Sequence, residues 1–172
     1  DKTDVFWATG ACLFIRATAF HSLGGFDEVF FAHMEEIDIC WRFRKEGFRV
    51  TYCGASKVFH VGGGTLHKSN PRKTFLNYRN NLIMLAKNLS LGQACWKIPF
   101  RLLLDGISAF KSLAAGEGKY FIAVFRAHFG FLRWLLFAEE KRGAPKKTSE
   151  GLQETGEEGI PARQAAFNKT SV

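Results

Sequence analysis

GGFDEVFFAHMEEIDICWR, residues Gly24 to Arg42, is the stretch from which the rest of the chain can be read. A glycine turn, an aromatic run and three acids stand close together in it. Glu35, Glu36 and Asp38 head a segment in which Ile37, Cys40, Trp41 and Arg44 recur at helical spacing. That spacing predicts a helix over Glu35–Glu46, with Gly47 as the residue that ends it. Acids in a first turn are favoured by the helix dipole and the free N–H groups, and this alone accounts for them structurally. The approach adds something more: Phe26, Val29, Phe30 and Phe31 would seat the acids against apolar surface. A carboxylate held there has its pKa raised toward that of a useful base.

Upstream, Val5 to Ile15 (VFWATGACLFI) reads as a loop at Trp7–Gly10 entering a buried strand at Cys12–Ile15. Ala17–Leu23 is predicted as a short helix closed by Gly24-Gly25, where a positive φ costs little. Downstream, Phe48–Cys53 alternates as a strand, and Lys57–Val61 is expected to form a second short one. Gly62-Gly63-Gly64 opens a polar loop to Ser69. Asn70 is placed to cap a helix with Pro71 at its first position. In that helix Phe75, Tyr78, Leu82, Leu85 and Leu89 form a core-facing stripe. Two further helical segments are expected at Trp96–Ala114 and Lys119–Ala138.

With 172 residues, 47% of them hydrophobic, the chain can bury one modest core. It starts at Asp1 and enters almost at once on a strand-like run, as a fragment would. Cys12, Cys40, Cys53 and Cys95 show no paired metal spacing and are expected as buried thiols in a reducing compartment. No uncharged run reaches the ~18 residues needed to span a bilayer. The net charge of +8 asks for an anionic partner or surface. Residues 97–147 hold ten Lys or Arg against four Asp or Glu, a local net of +6. Lys119, Arg126 and Arg133 fall seven apart on one helix face. Such helices can lie in a bilayer interface with their basic side chains reaching lipid phosphates, or simply pack on the rest of the chain. Residues 143–172 are polar, glycine-rich and aperiodic, and are expected to be disordered.

Three blocks accompany the opening stretch: ATGACLFIR (Ala8–Arg16), VFHVGGG (Val58–Gly64) and NPRKTFLNYRNNL (Asn70–Leu82). Together and in this order they resemble the C-terminal half of a bacterial family 2 glycosyltransferase, of the rhamnosyltransferase-like enzymes of cell-surface glycans. The resemblance covers roughly the first half of the chain strongly and the later helices loosely. It implies an α/β fold: the C-terminal portion of a GT-A (nucleotide-diphospho-sugar transferase) fold, followed by amphipathic helices. Residues 1–92 would be its acceptor and catalytic part, 93–142 a helical appendage and 143–172 the tail. The implied reaction is inverting, metal-assisted transfer of a sugar from a nucleotide-sugar donor to a glycan or lipid-linked acceptor. The implied place is the bacterial cytoplasm, peripheral on the inner face of the membrane. The donor-binding half would lie elsewhere, so this chain alone is expected to have little or no activity.

An inverting transfer needs a base for the acceptor hydroxyl. The resemblance assigns that role to the acidic pair, which here reads Glu35-Glu36 where the family has Glu-Asp. Glu36 is the first candidate and Glu35 the second. Asp38 matches a further family acid that orients its neighbours. His60 is implied as one ligand of Mn²⁺ or Mg²⁺, shared with an Asp-x-Asp motif that this chain lacks. A lone histidine near a strand end is otherwise more often structural. Lys68 and Arg72, beside the glycine run, suit a lid over a diphosphate, although the same loop could be an ordinary flexible connection. Trp7, Thr9 and Gly10 match the segment lining the acceptor side, where a tryptophan stacks on sugar or serves the core.

Two other classes compete. A non-catalytic membrane-surface or interaction module fits the basic amphipathic helices. Nucleic-acid binding fits the charge, but the basic residues cluster on apolar helices and no nucleic-acid motif is present. No nucleic-acid partner is expected.

Overall fold

Local chemistry sets two helix ends where the sequence marks them. The Asn70 side chain accepts the Arg72 N–H at 2.9 Å, and Pro71 stands at the first helical position. Gly47 has a φ of 81° just beyond the acid-headed helix, a conformation open to glycine at little cost. The computed structural model describes residues 2–60 and 70–142 of the chain. In order these form β1 (Lys2–Val5), a 3₁₀ turn (Gly10–Cys12), α1 (Ala17–Ser22), α2 (Glu35–Lys45), β2 (Val50–Cys53), α3 (Pro71–Asn88), α4 (Leu91–Ala114) and α5 (Gly118–Arg142). Of the expected α/β fold the described residues show mostly helix, with one small two-stranded sheet. The two strands pair antiparallel, Lys2 opposite Cys53 and Val5 opposite Val50.

Several expectations need correction. Cys12–Ile15 is not a strand: Cys12 closes the 3₁₀ turn, and Leu13, although extended, has no strand beside it. Lys57–His60 is likewise irregular, and Val61 lies outside the described residues. The helix expected from Trp96 begins five residues earlier, at Leu91, and carries Pro99 inside it. Of the four thiols, all free, only Cys40 is buried; Cys12 is half-buried, and Cys53 and Cys95 are exposed. Their apolar neighbours line surfaces that this chain does not cover. The tail from 143 lies outside the described residues.

Two cores form, and α2 is shared between them. Ile39, Cys40 and Phe43 join Ala19 and Val50 in the first, flanked by Val5, Leu13, Ile15 and Phe20. The second gathers Phe30, Leu82, Ile83, Met84 and Phe131, with Ile37 and Trp41 of α2 against it. Residues of α5 thus enter the same core as α3. Each fully buried side chain of this size stabilises by about 1.5–3 kcal/mol relative to exposure.

Candidate active site

The approach to α2 is the most constrained backbone in the described chain. Phe31, His33 and Met34 all have positive φ, at 60°, 68° and 78°. Side chains with a Cβ rarely adopt that conformation, which costs of order 1–3 kcal/mol each and persists only where the surroundings enforce it. Here the enforcement comes from α3. Asn80, completely buried, directs its amide nitrogen at the carbonyls of Phe30, Ala32 and His33, at 2.8–2.9 Å. Its neighbour Arg79 donates to the Val29 carbonyl at 2.6 Å and to the Asn80 side-chain oxygen. The loop is therefore pinned from below, residue by residue, just before Glu35 and Glu36.

The three acids of α2 meet different surroundings. Asp38 is wholly buried, accepting from Arg42 Nε at 2.8 Å and from Asn88 Nδ2 at 2.7 Å. Arg42 in turn donates to the Leu23 and Gly25 carbonyls, each at 2.7 Å. Asp38 is therefore committed to a clamp joining α2, α3 and the glycine turn. With its oxygens occupied this way it holds those elements together. Glu36 is only half-buried. Burial raises its pKa first, against its own backbone N–H; the charge of Glu35 raises it further, while His33 and the Met34 N–H oppose. Glu35 keeps one carboxylate oxygen buried without a partner among the described residues, as does His33 its Nε2. The first turn of α2 thus holds two adjacent carboxylates, and the imidazole of His33 stands just before it, with hydrogen-bonding capacity left on Glu35 and His33 among the described residues.

The Trp7–Gly10 loop lies along this same face. A Cβ placed on Gly10 would stand 3.8 Å from Glu36 Cβ, so the loop rests at van der Waals distance on the acid. One turn on, the Ala8 backbone hydrogen-bonds the Cys40 thiol, whose pKa burial nonetheless pushes up. Thr9 holds the 3₁₀ turn by accepting the Ala11 N–H at 3.4 Å. Trp7 is 44% exposed, which leaves ring surface open to a ligand.

The remaining expected site residues are scattered. Arg72, at the start of α3, sets its guanidinium over the Phe31 ring at 5.4 Å and makes no ion pair with Glu35 or Glu36. Phe31 itself is 72% exposed and turned from the core, contrary to the expectation that the whole aromatic run seats the acids; Phe30 alone is fully buried. His60 lies exposed in the irregular segment after β2. Among the described residues no group of three or more His, Cys, Asp and Glu could hold a metal ion. A single imidazole does not hold a divalent ion by itself. Lys68 lies outside the described residues. Asn80, Arg79 and Asn88 are the residues that the stripe analysis of α3 misses. Their signal was present as polar side chains inside a helix with a core-facing stripe, which need partners where they are buried.

The chain is 32% identical over 112 residues to the N-acetylglucosaminyl-diphospho-decaprenol L-rhamnosyltransferase of Mycobacterium tuberculosis, a match covering 65% of this chain and 36% of that protein. It is 26% identical over 143 residues to the low-salt glycan biosynthesis hexosyltransferase Agl10 of Haloferax volcanii, covering 81% of this chain and 44% of that relative. Over 60 residues it is 34% identical to rhamnosyltransferase WbbL of Escherichia coli, covering 35% of the chain and 23% of the relative. The chain thus spans less than half the length of each of these curated relatives. No family model matches it, and no solved structure does. The relatives are glycosyltransferases, rhamnosyltransferases among them, and the likeness read from the sequence blocks is to the same class of enzyme.

Proposed function

We propose that this chain is the acceptor-side part of a family 2 glycosyltransferase of GT-A fold, in which Glu36 takes the acceptor hydroxyl proton as that oxygen attacks the sugar. The observation that supports this reading is the pinned loop. Three positive-φ residues enforced by Asn80 deliver Glu36, with a raised pKa, beside the Trp7–Gly10 loop. A base poised closer to working pH transfers protons more effectively and contributes about 10²–10⁴-fold. Glu35 raises the pKa of its neighbour, His33 counters it, and Asp38 keeps the helix in register. Trp7, Thr9 and Gly10 form the acceptor wall, and Lys68, which lies outside the described residues, is assigned to the leaving diphosphate. The donor is a nucleotide sugar, and the acceptor is a glycan or lipid-linked glycan, as the names of the relatives suggest. Inversion follows from direct attack. His60 would supply one imidazole to a divalent ion, Mn²⁺ or Mg²⁺, which would offset charge on the leaving diphosphate and whose other ligands would come from outside the described residues.

The setting is the cytoplasmic face of a membrane. On α4, Phe100, Leu103, Ile107 and Phe110 are exposed, and on α5 so are Phe125 and Phe129. Phe110 touches Phe121 and Phe125, which makes the two stripes continuous. By length and composition Gly118–Phe137 could cross a bilayer. Its Val124, Ala127 and Phe131 side, however, is buried in the protein, and Phe131 belongs to the α3 core, which favours a helix lying in the interface. The same stripe favours the second reading, a membrane-surface module without catalysis.

The test is sugar transfer and donor hydrolysis by a complete enzyme carrying Glu36→Gln, Glu35→Gln or His60→Ala, with and without Mn²⁺. Glu36→Gln should abolish turnover while leaving donor binding intact, and His60→Ala should weaken metal dependence. Near wild-type turnover in Glu36→Gln would reject the assignment. Vesicle flotation that ignores anionic lipid and salt would reject the interfacial placement.

A further inference from the structure

Where α3 begins, it meets the start of α5 across a cavity of about 330 Å³. Arg72, Lys119 and Arg126 line it, together with Phe75 and Ile122. No described carboxylate forms an ion pair with any of the three cations. Arg72 rests over Phe31 and Lys119 over Tyr120, contacts that leave positive charge without a counter-ion among the described residues. Three like charges around one small hollow repel one another, and an anion entering it relieves that repulsion while accepting charge-assisted hydrogen bonds. Three cations suit a phosphate or diphosphate better than a single carboxylate.

The walls narrow the class further. Ile122 lines the cavity and also begins the exposed apolar stripe of α5, which continues through Phe125, Phe129, Leu132 and Leu136 at spacings of three and four. At ~100° per residue, Lys119, Arg126 and Arg133 flank that stripe on one side. The hollow therefore opens at the head of an apolar track. At its other edge, Arg72 reaches Phe31 in the pinned loop that ends at Glu35 and Glu36. An anionic head held here would sit between the apolar track and the acids.

We infer that this cavity is a head-group site for an amphiphile with a phosphate or diphosphate head and an apolar tail, the head on Arg72, Lys119 and Arg126 and the tail along the α5 stripe. The inference rests on the proposed lipid-linked acceptor and names where such an acceptor is held. It needs no donor and no turnover, so it can fail separately.

The experiment is calorimetric titration of the full chain with farnesyl diphosphate, inorganic diphosphate and farnesol. The titrations are repeated on Lys119→Ala/Arg126→Ala, and on Lys97→Ala/Lys111→Ala as an equal charge loss outside the cavity. Farnesyl diphosphate should bind more tightly than either half-ligand. The cavity pair should weaken it about tenfold or more and the control pair much less, with circular dichroism unchanged in both. If the two pairs weaken binding equally, the attraction is diffuse surface charge and the site is wrong. Inorganic diphosphate binding as tightly as the farnesyl compound, or farnesol doing so, removes the amphiphile. Glu36→Gln should bind like wild type. Loss of transfer in that variant beside unchanged binding in the cavity pair would sink this site and leave the proposed chemistry standing.

Discussion

On one side of α2, short elements close over Ala19, Ile39, Cys40, Phe43 and Val50 and leave an apolar groove of about 1120 Å³, edged by Leu13, Phe14, Tyr52 and Phe59. On the other side, α3, α4 and α5 pack along their lengths, and Phe30 and Phe131 are sealed among Leu82, Ile83 and Met84. A two-stranded sheet is marginal alone, and here both strands are largely exposed. The helical side supplies rigidity, whereas the sheet side supplies open surface. The acids stand at the seam. Asp38 and the loop before Glu35 are fixed by hydrogen bonds reaching over from α3, and Glu36 rests against the Trp7–Gly10 loop. A site built this way separates what holds it from what uses it.

That separation can be broken most forcefully with core substitutions. Phe131→Ala should cost about 3–5 kcal/mol in urea unfolding, because the helices cannot collapse onto the space left. Phe59→Ser, on the open side, should stay within about 0.5 kcal/mol and improve solubility. Similar losses in the two variants would mean that the halves are equally consolidated. Next in size is Asp38→Ala, which strands Arg42 and Asn88. It should cost roughly 2–3 kcal/mol, below the ~3–5 of a fully buried pair because Arg42 is partly reached by water. Glu36→Gln, two residues away, should cost no stability.

Asn80→Ala sharpens the contrast in another way. Three loop carbonyls lose their donor, but the positive-φ residues are then free to relax. The two effects oppose, so the net loss should be only about 1 kcal/mol. Transfer by a complete enzyme should nevertheless fall by on the order of 10²-fold, since a misplacement near 1 Å is that costly. A drop in transfer no larger than the stability loss explains would show that the pinning serves folding alone.

What could be read from the sequence follows the same division. Helices α2 and α3 were legible because their signals are local: acids at one end, Gly47 after the other, Asn70-Pro71 at the start. The difference between Glu36 and Asp38 was legible only as an order of candidates. Burial of Asp38 depends on Asn88, fifty residues on, and no spacing within α2 reports it. Cys12–Ile15 and Lys57–Val61 looked like strands because they are apolar, yet a strand exists only where a neighbour pairs with it. Cys12–Ile15 and Lys57–Phe59 line the open groove instead. Asn80 was hidden for the opposite reason. A stripe analysis records which residues are apolar and is silent on the buried amide that the backbone of another segment requires.

The smallest expected effect is one of pH, and its sign distinguishes the two sides once more. Glu36 has its pKa raised above its ordinary 4.5, chiefly by burial. The folded state therefore holds this proton more tightly than the unfolded chain, and stability falls as pH rises from about 4.5 through the folded value. Asp27 runs the other way. Burial pushes its pKa up, but the hydrogen bond and charge of Lys87, with the Val29 N–H and Arg42, outweigh that and hold it below 3.8. Its contribution is present above that value and is lost as pH falls through the folded one. Melting temperatures of wild type and Glu36→Gln should thus coincide near pH 4 and separate by neutral pH, with the variant the more stable. Asp27→Asn should be the less stable at neutral pH and converge with wild type only in acid. If Glu36→Gln is instead the less stable at neutral pH, the ionised carboxylate is held by the fold. The acid would then belong, with Asp38, to the scaffold.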